Sequence, residues 1–249
     1  MNHMTNEPKI SRVPKGRLLF VISVGMAILS PSCSSPTPPL PPSGTDTTNH
    51  DFVWQIDTLG ETSSVLYDVA IINDSTAWAV GEIYLRDDST RQIDPLPYNA
   101  VRLHGREWTP VRIEFPQFNF DCSVAFSSAA IVNAIFSVSA TSTLFTDGLA
   151  VVKWDGSSFH NYPCLSLSLA QSARITKIWG ESEYDLYCVG TEGMILHYVS
   201  GQWTRIPSGT TTRINDAYGI RNKRTGRHEL FCAVTDFFSP RDRTILRIH

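Results

Sequence analysis

A four-strand pattern that recurs along the chain is the feature that most constrains how this sequence can fold. Its clearest copy contains four short apolar segments, near 175–179, 186–190, 194–199 and 203–206, separated by turn residues. Short apolar segments bounded by Gly, Asp and Ser are typical of antiparallel strands joined by tight turns. Self-similarity at a period of about 40–60 residues indicates a repeat architecture assembled from such units.

Three further copies accompany this one. The first has strands at 66–69 and 76–81, the worn middle copy covers 131–159, and the last begins at Ile214 and ends at 245–248, one strand short. About four repeats of a four-stranded antiparallel sheet predict an all-β, β-propeller-like fold. An irregular β-sandwich is the alternative.

The strand missing from the last copy has a candidate at the start of the domain. Segment 51–60 resembles a fourth strand and is comparable to 203–209. If it paired with 245–248, it would close a ring of four blades and remove the open sheet edges. The alternative is that the chain is a truncated part of a larger propeller, and the sequence leaves both open.

The sequence motif of the repeat resembles that of a known group of proteins. The motif W-G-x-S-x-x-D-x-Y-x-V-G, followed by G-x-I-x-H-Y and G-x-W, resembles the repeats of bacterial secreted or lipid-anchored β-propeller proteins. The resemblance covers roughly 66–249 and is sharpest at 175–209. It implies a scaffold and specifies no activity.

The N-terminus has the features of an export signal. Four basic residues between Lys9 and Arg17 precede an uncharged run at 18–29. That run is shorter than the roughly 20 apolar residues of a membrane-spanning helix. Small residues then lead to Cys33, and the arrangement resembles a bacterial lipoprotein signal, in which the cysteine is acylated and becomes the first mature residue. An ordinary signal peptide or an uncleaved anchor is the alternative.

The chain therefore divides into three predicted parts: a lipoprotein signal peptide at 1–32, the lipidated cysteine with a tether rich in Pro, Ser and Thr at 33–50, and the repeat domain at 51–249. Five of the seven residues at 36–42 are proline. Proline stiffens the chain into polyproline II, which suits a spacer that holds a domain off a membrane. Ser34 after the cysteine favours, under the resemblance, the outer membrane of a Gram-negative bacterium.

The charge of the mature chain argues against a nucleic-acid partner. The full sequence has 21 basic and 24 acidic residues, a net charge of −3. Segment 1–32 carries four basic residues and one acidic residue, so its removal leaves a net charge of −6. An acidic surface does not attract a phosphate backbone.

No motif with a strong catalytic mechanism is present, and the seven histidines lack the spacing of metal ligands. We therefore predict no catalytic residue, metal site or cofactor. The rival hypothesis is a glycan-acting hydrolase or lyase with paired carboxylates near the central channel. Asp68 and Asp216 are candidates for that pair by position alone.

Two loops could form a ligand site. The first repeat has an insertion at 82–99 and the last repeat has a long loop at 236–243, at equivalent places. These loops carry four candidate ligand-binding residues: Tyr84, Tyr98, Phe237 and Phe238. Aromatic rings among polar groups suit a protein or a polysaccharide, and a closed ring would bring both loops into one wall. Two solvated, variable loops are the alternative.

The remaining cysteines fall into two pairs. Cys122 and Cys164 bracket the middle repeat, and export would permit a disulfide between them. Cys188 and Cys232 occupy equivalent second-strand positions in successive repeats, which predicts two small buried side chains too far apart to bond.

These observations favour a membrane-anchored lipoprotein whose propeller binds a protein or glycan at the cell envelope. We predict that this protein contacts the membrane through its N-terminal lipid. The enzyme is the alternative from another class, and a truncated fragment without activity is the third.

Overall fold

Alternation of apolar and polar side chains sets the strands of the repeat domain, and the computed structural model shows how they pair. It describes residues 54–87, 89–165, 167–170, 172–235 and 243–248. Cys33, the signal and tether predictions, and Phe237 and Phe238 lie outside these residues.

Four successive sheets, which we number as blades 1 to 4, account for most of the strands. Blade 1 consists of β1 (Val65–Asn73), β2 (Thr76–Ile83), β3 (Tyr98–His104) and β4 (Glu107–Val111). A separate two-stranded hairpin follows, with β5 (Glu114–Phe118) and β6 (Val124–Ala129). Blade 2 consists of β7 (Ala134–Ser139), β8 (Ser142–Thr146), β9 (Val151–Trp154) and β10 (Phe159–Asn161).

A short helix, α1 (Leu167–Ala170), lies between blades 2 and 3. Blade 3 consists of β11 (Ile175–Ser182), β12 (Asp185–Gly190), β13 (Ile195–Val199) and β14 (Gln202–Arg205), with a 3-10 turn at Thr191–Gly193. Blade 4 consists of β15 (Ile214–Arg221), β16 (His228–Thr235) and β17 (Arg243–Ile248).

Within each blade the strands pair antiparallel in chain order, and the first strands β1, β7, β11 and β15 adjoin one another in succession. Sheets that stack in series around their first strands are the defining arrangement of a propeller. The predicted all-β, β-propeller-like fold is therefore confirmed.

Apolar clusters between neighbouring blades form the core. Trp78 and Phe145 meet edge to face between blades 1 and 2, with ring centroids 5.1 Å apart. Tyr198 and Trp203 pack with Leu144 between blades 2 and 3. Each interface buries one face of two sheets, so the repeat is stabilised mainly by its neighbours.

A steric requirement explains why two positions of the repeat motif are glycine. Gly81 lies near the end of the second strand of blade 1, and Gly190 ends the second strand of blade 3. A Cβ on either would lie about 2 Å from the backbone oxygen of Val65 or Arg174. Only glycine permits the first strand to approach the second so closely.

The N-terminal segment does not supply the predicted closing strand. Among the residues the structure describes, β17 pairs with β16 alone and 54–59 form no strand. Leu59 instead packs on the outer face of blade 1, and the Trp108 indole N–H donates to the Asp57 carboxylate across 3.1 Å. The expectation of pairing with 245–248 is thus wrong for the described part of the segment, because the apolar face of blade 1 captures it.

No helix in the described ranges is long and apolar enough to cross a membrane.

Candidate functional site

The described residues of the insertion at 82–99 make several specific contacts, although 89–93 are exposed. Arg86 and Ile93 pair as an isolated antiparallel bridge. Hydrogen bonds from Ser89 and Thr90 lower the pKa of the Asp87 carboxyl to about 2. The Arg86 guanidinium also donates to Glu61 across 3.0 Å, which ties the insertion to the segment before β1.

Tyr84 is held by hydrogen bonds to its neighbours. Its backbone N–H donates to the Ser64 hydroxyl across 2.9 Å, and its phenol donates to the Glu82 carboxylate across 2.7 Å. The hydrogen bond to Glu82 is the main reason that the pKa of Tyr84 is raised. The predicted ligand role of Tyr84 therefore has only indirect support, through Glu82.

Tyr98 lies at the centre of a better-formed arrangement. The Arg112 guanidinium stacks over the Tyr98 ring with 4.0 Å between its central carbon and the ring centroid. Arg112 also forms an ion pair with Asp94 and donates to the Leu96 carbonyl across 2.6 Å. The pKa of Asp94 is lowered first by the Leu96 backbone N–H and then by Arg112. One terminal nitrogen of Arg112 thus makes both polar contacts, and these contacts hold the guanidinium over the Tyr98 ring.

A buried asparagine brings the hairpin β5–β6 beside Tyr98. The Asn99 amide donates to the carbonyls of Ile113 and Ala130 across 2.8 and 2.7 Å, and its oxygen accepts the Ile113 N–H across 2.7 Å. Ile113 precedes β5 and Ala130 follows β6. One side chain therefore fixes both ends of the hairpin to blade 1.

The result is a cavity of about 200 Å³ between the insertion and the hairpin base. Its lining combines apolar and charged residues: Glu82, Leu96, Tyr98, Arg112, Ala129 and Ile131. The volume suits one large apolar side chain or a compact ring. We name this the Tyr98 cavity.

Strand β6 leads directly into the Tyr98 cavity. It pairs with β5 on one edge and, among the described strands, with none on the other. Its residues are largely exposed, and it contains neither a charge nor a proline. Natural edge strands are usually protected by one of these, so an unprotected edge indicates a place where another strand can add.

The hairpin tip is anchored at the opposite end. A disulfide joins Cys122 in the tip to Cys164 after blade 2, with their Cα atoms 5.7 Å apart. A second cavity of about 120 Å³ lies beside this bond, lined mainly by Phe118, Leu149, Leu165 and Met194. Phe120 and Phe126 remain exposed on the hairpin.

The other candidate residues are dispersed. Asp68 is engaged in an ion pair with Lys177, whereas the Asp216 side chain accepts the N–H of Ala217 next to it across 2.9 Å. In the ranges the structure describes, no three His, Cys, Asp or Glu side chains converge to hold a metal ion. Cys188 and Cys232 are free and buried, as expected.

Sequence reasoning missed the hairpin and the role of Asn99. Pro116 interrupts the alternation of apolar and polar residues in β5, so the sequence pattern did not indicate a strand there. Asn99 lies at the end of the insertion and looks like any polar loop residue. Its only signal is that a run of apolar residues follows it immediately.

The solved structures that are similar to this chain are distant from it in sequence. No family model and no curated protein matches the sequence. The solved structure of YCF48 bound to D1 peptide is similar with a TM-score of 0.45 and 15% identity, over 76% of this chain and 56% of that one. YCF48 from Cyanidioschyzon merolae has a TM-score of 0.40 and 13% identity, over 75% and 72% of the two chains. The chain thus spans little more than half the length of the first of these structures.

Proposed function

We propose that this protein is a lipid-anchored binding protein of the bacterial cell envelope, with Cys33 as the acylated residue and the outer membrane as its location. Its ligand is an extended protein segment. The segment adds to the free edge of β6 and places an apolar side chain in the Tyr98 cavity. The continuity of edge and cavity carries this proposal.

The pairing of β5 with β6 indicates which backbone groups are free. Pro116 pairs with Ser127. Because proline has no N–H, this pair suits a non-hydrogen-bonded position, which directs the N–H and C=O of Ser127 away from β5. Because hydrogen-bonded and non-hydrogen-bonded pairs alternate, the backbone N–H and C=O of Ala129 also point away from β5. An added strand would find donors and acceptors two residues apart, as β-augmentation requires.

A protein ligand is favoured over a glycan by the polarity of the cavity. Leu96, Tyr98 and Ile131 offer apolar surface, and one terminal nitrogen of Arg112 is already engaged with Asp94 and the Leu96 carbonyl. A sugar would require free hydrogen-bonding groups around the ring, whereas an extended peptide uses its own backbone. Aromatic and arginine residues are also the types that dominate protein-binding hot spots.

The test uses the whole chain in membranes and a displayed library of random 12-residue peptides. We expect enrichment of peptides with a large apolar residue, and at least a tenfold loss of their affinity in Tyr98→Ala. Ser127→Pro should abolish binding because it removes an outward N–H, whereas Ser127→Ala, which keeps that N–H, should bind normally. Binding of envelope polysaccharide with no peptide enrichment would overturn the proposal.

The lipid anchor has a separate test. We expect the wild-type chain to incorporate labelled palmitate and to fractionate with membranes, and Cys33→Ala to lose both. Ser34→Ala is the matched control and should retain both. A Cys33→Ala chain that remains acylated and membrane-bound would refute the anchor without affecting the peptide site.

A further inference from the structure

The two outermost sheet faces of the blade series carry exposed apolar residues. On blade 4, Tyr218, Ile220 and Ile245 are 67%, 46% and 66% exposed. On blade 1, Val69 and Ile71 are 58% and 77% exposed. Faces of this kind on a soluble domain mark interaction surfaces.

The repeat register shows what the face of blade 4 is built to contact. Tyr218, Phe231 and Arg247 form one cross-strand row. The equivalent row of blade 3 is Trp179, Tyr187 and His197, and this row faces blade 4. There the Trp179 ring packs so closely on Gly219 that a Cβ on this glycine would lie 2.1 Å from it. Blade 4 therefore exposes Tyr218 at the position where blade 3 has the half-buried Trp179.

The face of blade 1 is the matching half of such an interface. Its cross-strand row is Ile71, Ala77, Leu103 and Trp108. The equivalent row of blade 3 is Gly180, Leu186, Tyr198 and Trp203, and its members Leu186, Tyr198 and Trp203 are buried in the cluster that joins blades 2 and 3. The inner strand β1 of blade 1 thus presents the side of a blade that in blade 3 receives its predecessor, while Leu59 and Asp57 of the preceding segment cover part of β2 to β4.

The side-chain volumes of the two faces compensate each other. In the internal interface a large Trp179 lies on Gly219, whose strand neighbour is Leu230. Across the two open faces a smaller Tyr218 would lie on Ile71, whose strand neighbour is the smaller Ala77. Compared with the internal interface, the first blade of this contact has the smaller side chain and the second blade has the larger one, so the summed side-chain volume is similar. A similar volume allows similar packing.

We propose that a second copy of this chain covers both faces. Blade 4 of each copy packs on blade 1 of the other, so that two head-to-tail contacts related by a twofold axis close an eight-bladed pair. The same type of interface already joins blades 3 and 4 within one chain. A heterologous contact repeated by a rotation that closes gives a finite assembly rather than a filament.

Cysteine cross-linking in membranes tests the contact directly. We expect Ile71→Cys mixed with Tyr218→Cys to form cross-linked pairs with a short bismaleimide, and neither variant alone to do so. Free Cys188 and Cys232 are buried and should not interfere. Phe120→Cys mixed with Tyr184→Cys is the matched control, because both positions are exposed but lie elsewhere. Cross-linking of either variant with itself, or of none, would overturn the proposal.

The mass of the assembly provides a second measurement. The whole chain in mild detergent should sediment as two copies, and Tyr218→Arg or Ile71→Asp should raise the dissociation constant at least tenfold with an unchanged melting curve. Tyr184→Arg should leave the pair intact. A single copy at micromolar concentration, or an open-ended ladder of larger species, would refute the closed pair.

Discussion

Asp68 and Lys177 form an ion pair that joins the first strands of blades 1 and 3. The Lys177 ammonium lies 3.1 and 2.9 Å from the two Asp68 carboxylate oxygens. One of these oxygens also accepts the N–H of Ile135, on the first strand of blade 2, across 3.1 Å. A single carboxylate thus connects three blades at the centre, which gives Asp68 a structural role.

Removing the lysine should therefore be costly. The Asp68 side chain is 16% exposed, so Lys177→Met would leave a largely desolvated charge without its counterion and lower the free energy of unfolding by about 2 kcal/mol. Urea denaturation would measure this. Arg86→Met, which breaks the more exposed pair with Glu61, should lower the free energy of unfolding much less, because solvent screens this pair. Equal losses in the two variants would contradict the central role of Asp68.

The disulfide should contribute through the loop that it closes. Cys122 and Cys164 are 42 residues apart, and a loop of that length corresponds to about 3–4 kcal/mol of stabilisation in the chain-entropy description. The double variant Cys122→Ser/Cys164→Ser should lose about this amount and should bind selected peptides less tightly, because the hairpin tip is released. If reductant leaves the melting temperature of the wild type unchanged, the bond does not stabilise the domain.

The ion pair between Lys153 of blade 2 and Glu183 of blade 3 should make the free energy of unfolding depend on pH in the acid range. The Glu183 carboxylate accepts hydrogen bonds from Lys153 and then Ser142, which lower its pKa from the usual value of about 4.5. A lowered folded-state pKa means that the contribution is complete above about pH 4.5 and disappears as the pH falls through the folded value. The difference in melting temperature between wild type and Glu183→Gln should be largest near neutral pH and shrink at lower pH. A difference that grows on acidification would have the wrong sign.

The contact of Trp179 with Gly219 should not tolerate a methyl group. Gly219→Ala would drive a Cβ into the indole ring and lower the free energy of unfolding by about 2 kcal/mol. Trp179→Leu on the same background should restore part of the loss, since it vacates the space. Tyr218→Phe, at the exposed neighbouring position, should have little effect. Calorimetry on the three variants would distinguish a steric conflict from a general intolerance of substitution in β15.

The two free thiols should be unreactive in the native protein. Burial raises the pKa of the Cys232 thiol to about 11 and that of Cys188 further, so neither forms thiolate at pH 8. A thiol reagent should modify no cysteine in the native chain and two after unfolding in urea. Rapid native labelling would show that blade 4 opens readily.

The strand pattern of blade 3 could be predicted because its residues are local in sequence. Alternating apolar side chains and turn glycines mark all four strands, and β11 extends beyond the predicted 175–179 only to complete its hairpin. The second-strand glycines follow from the same local logic. Periodicity of two and tight turns depend on neighbours within a few residues.

The site was less predictable because it depends on residues brought together from separate elements. Tyr98 was a candidate, but its partner surface is the hairpin that Pro116 concealed, and Asn99 reaches Ala130 across 31 residues. Tyr84, with the same residue type and loop, turns its phenol to Glu82 instead. Nothing in the local pattern distinguishes the two tyrosines.

The sequence alone determined the fold class, the number of repeats and the position of most strands, and it predicts lipidation at Cys33, since each rests on local periodicity or a short linear signal. Only the tertiary structure decided that the segment before β1 lies on blade 1, that β6 has a free edge, and that Asp68 meets Lys177 across 109 residues. These relationships arise when packed sheets select one partner among several that the sequence allows. That choice depends on which faces and charges become buried together.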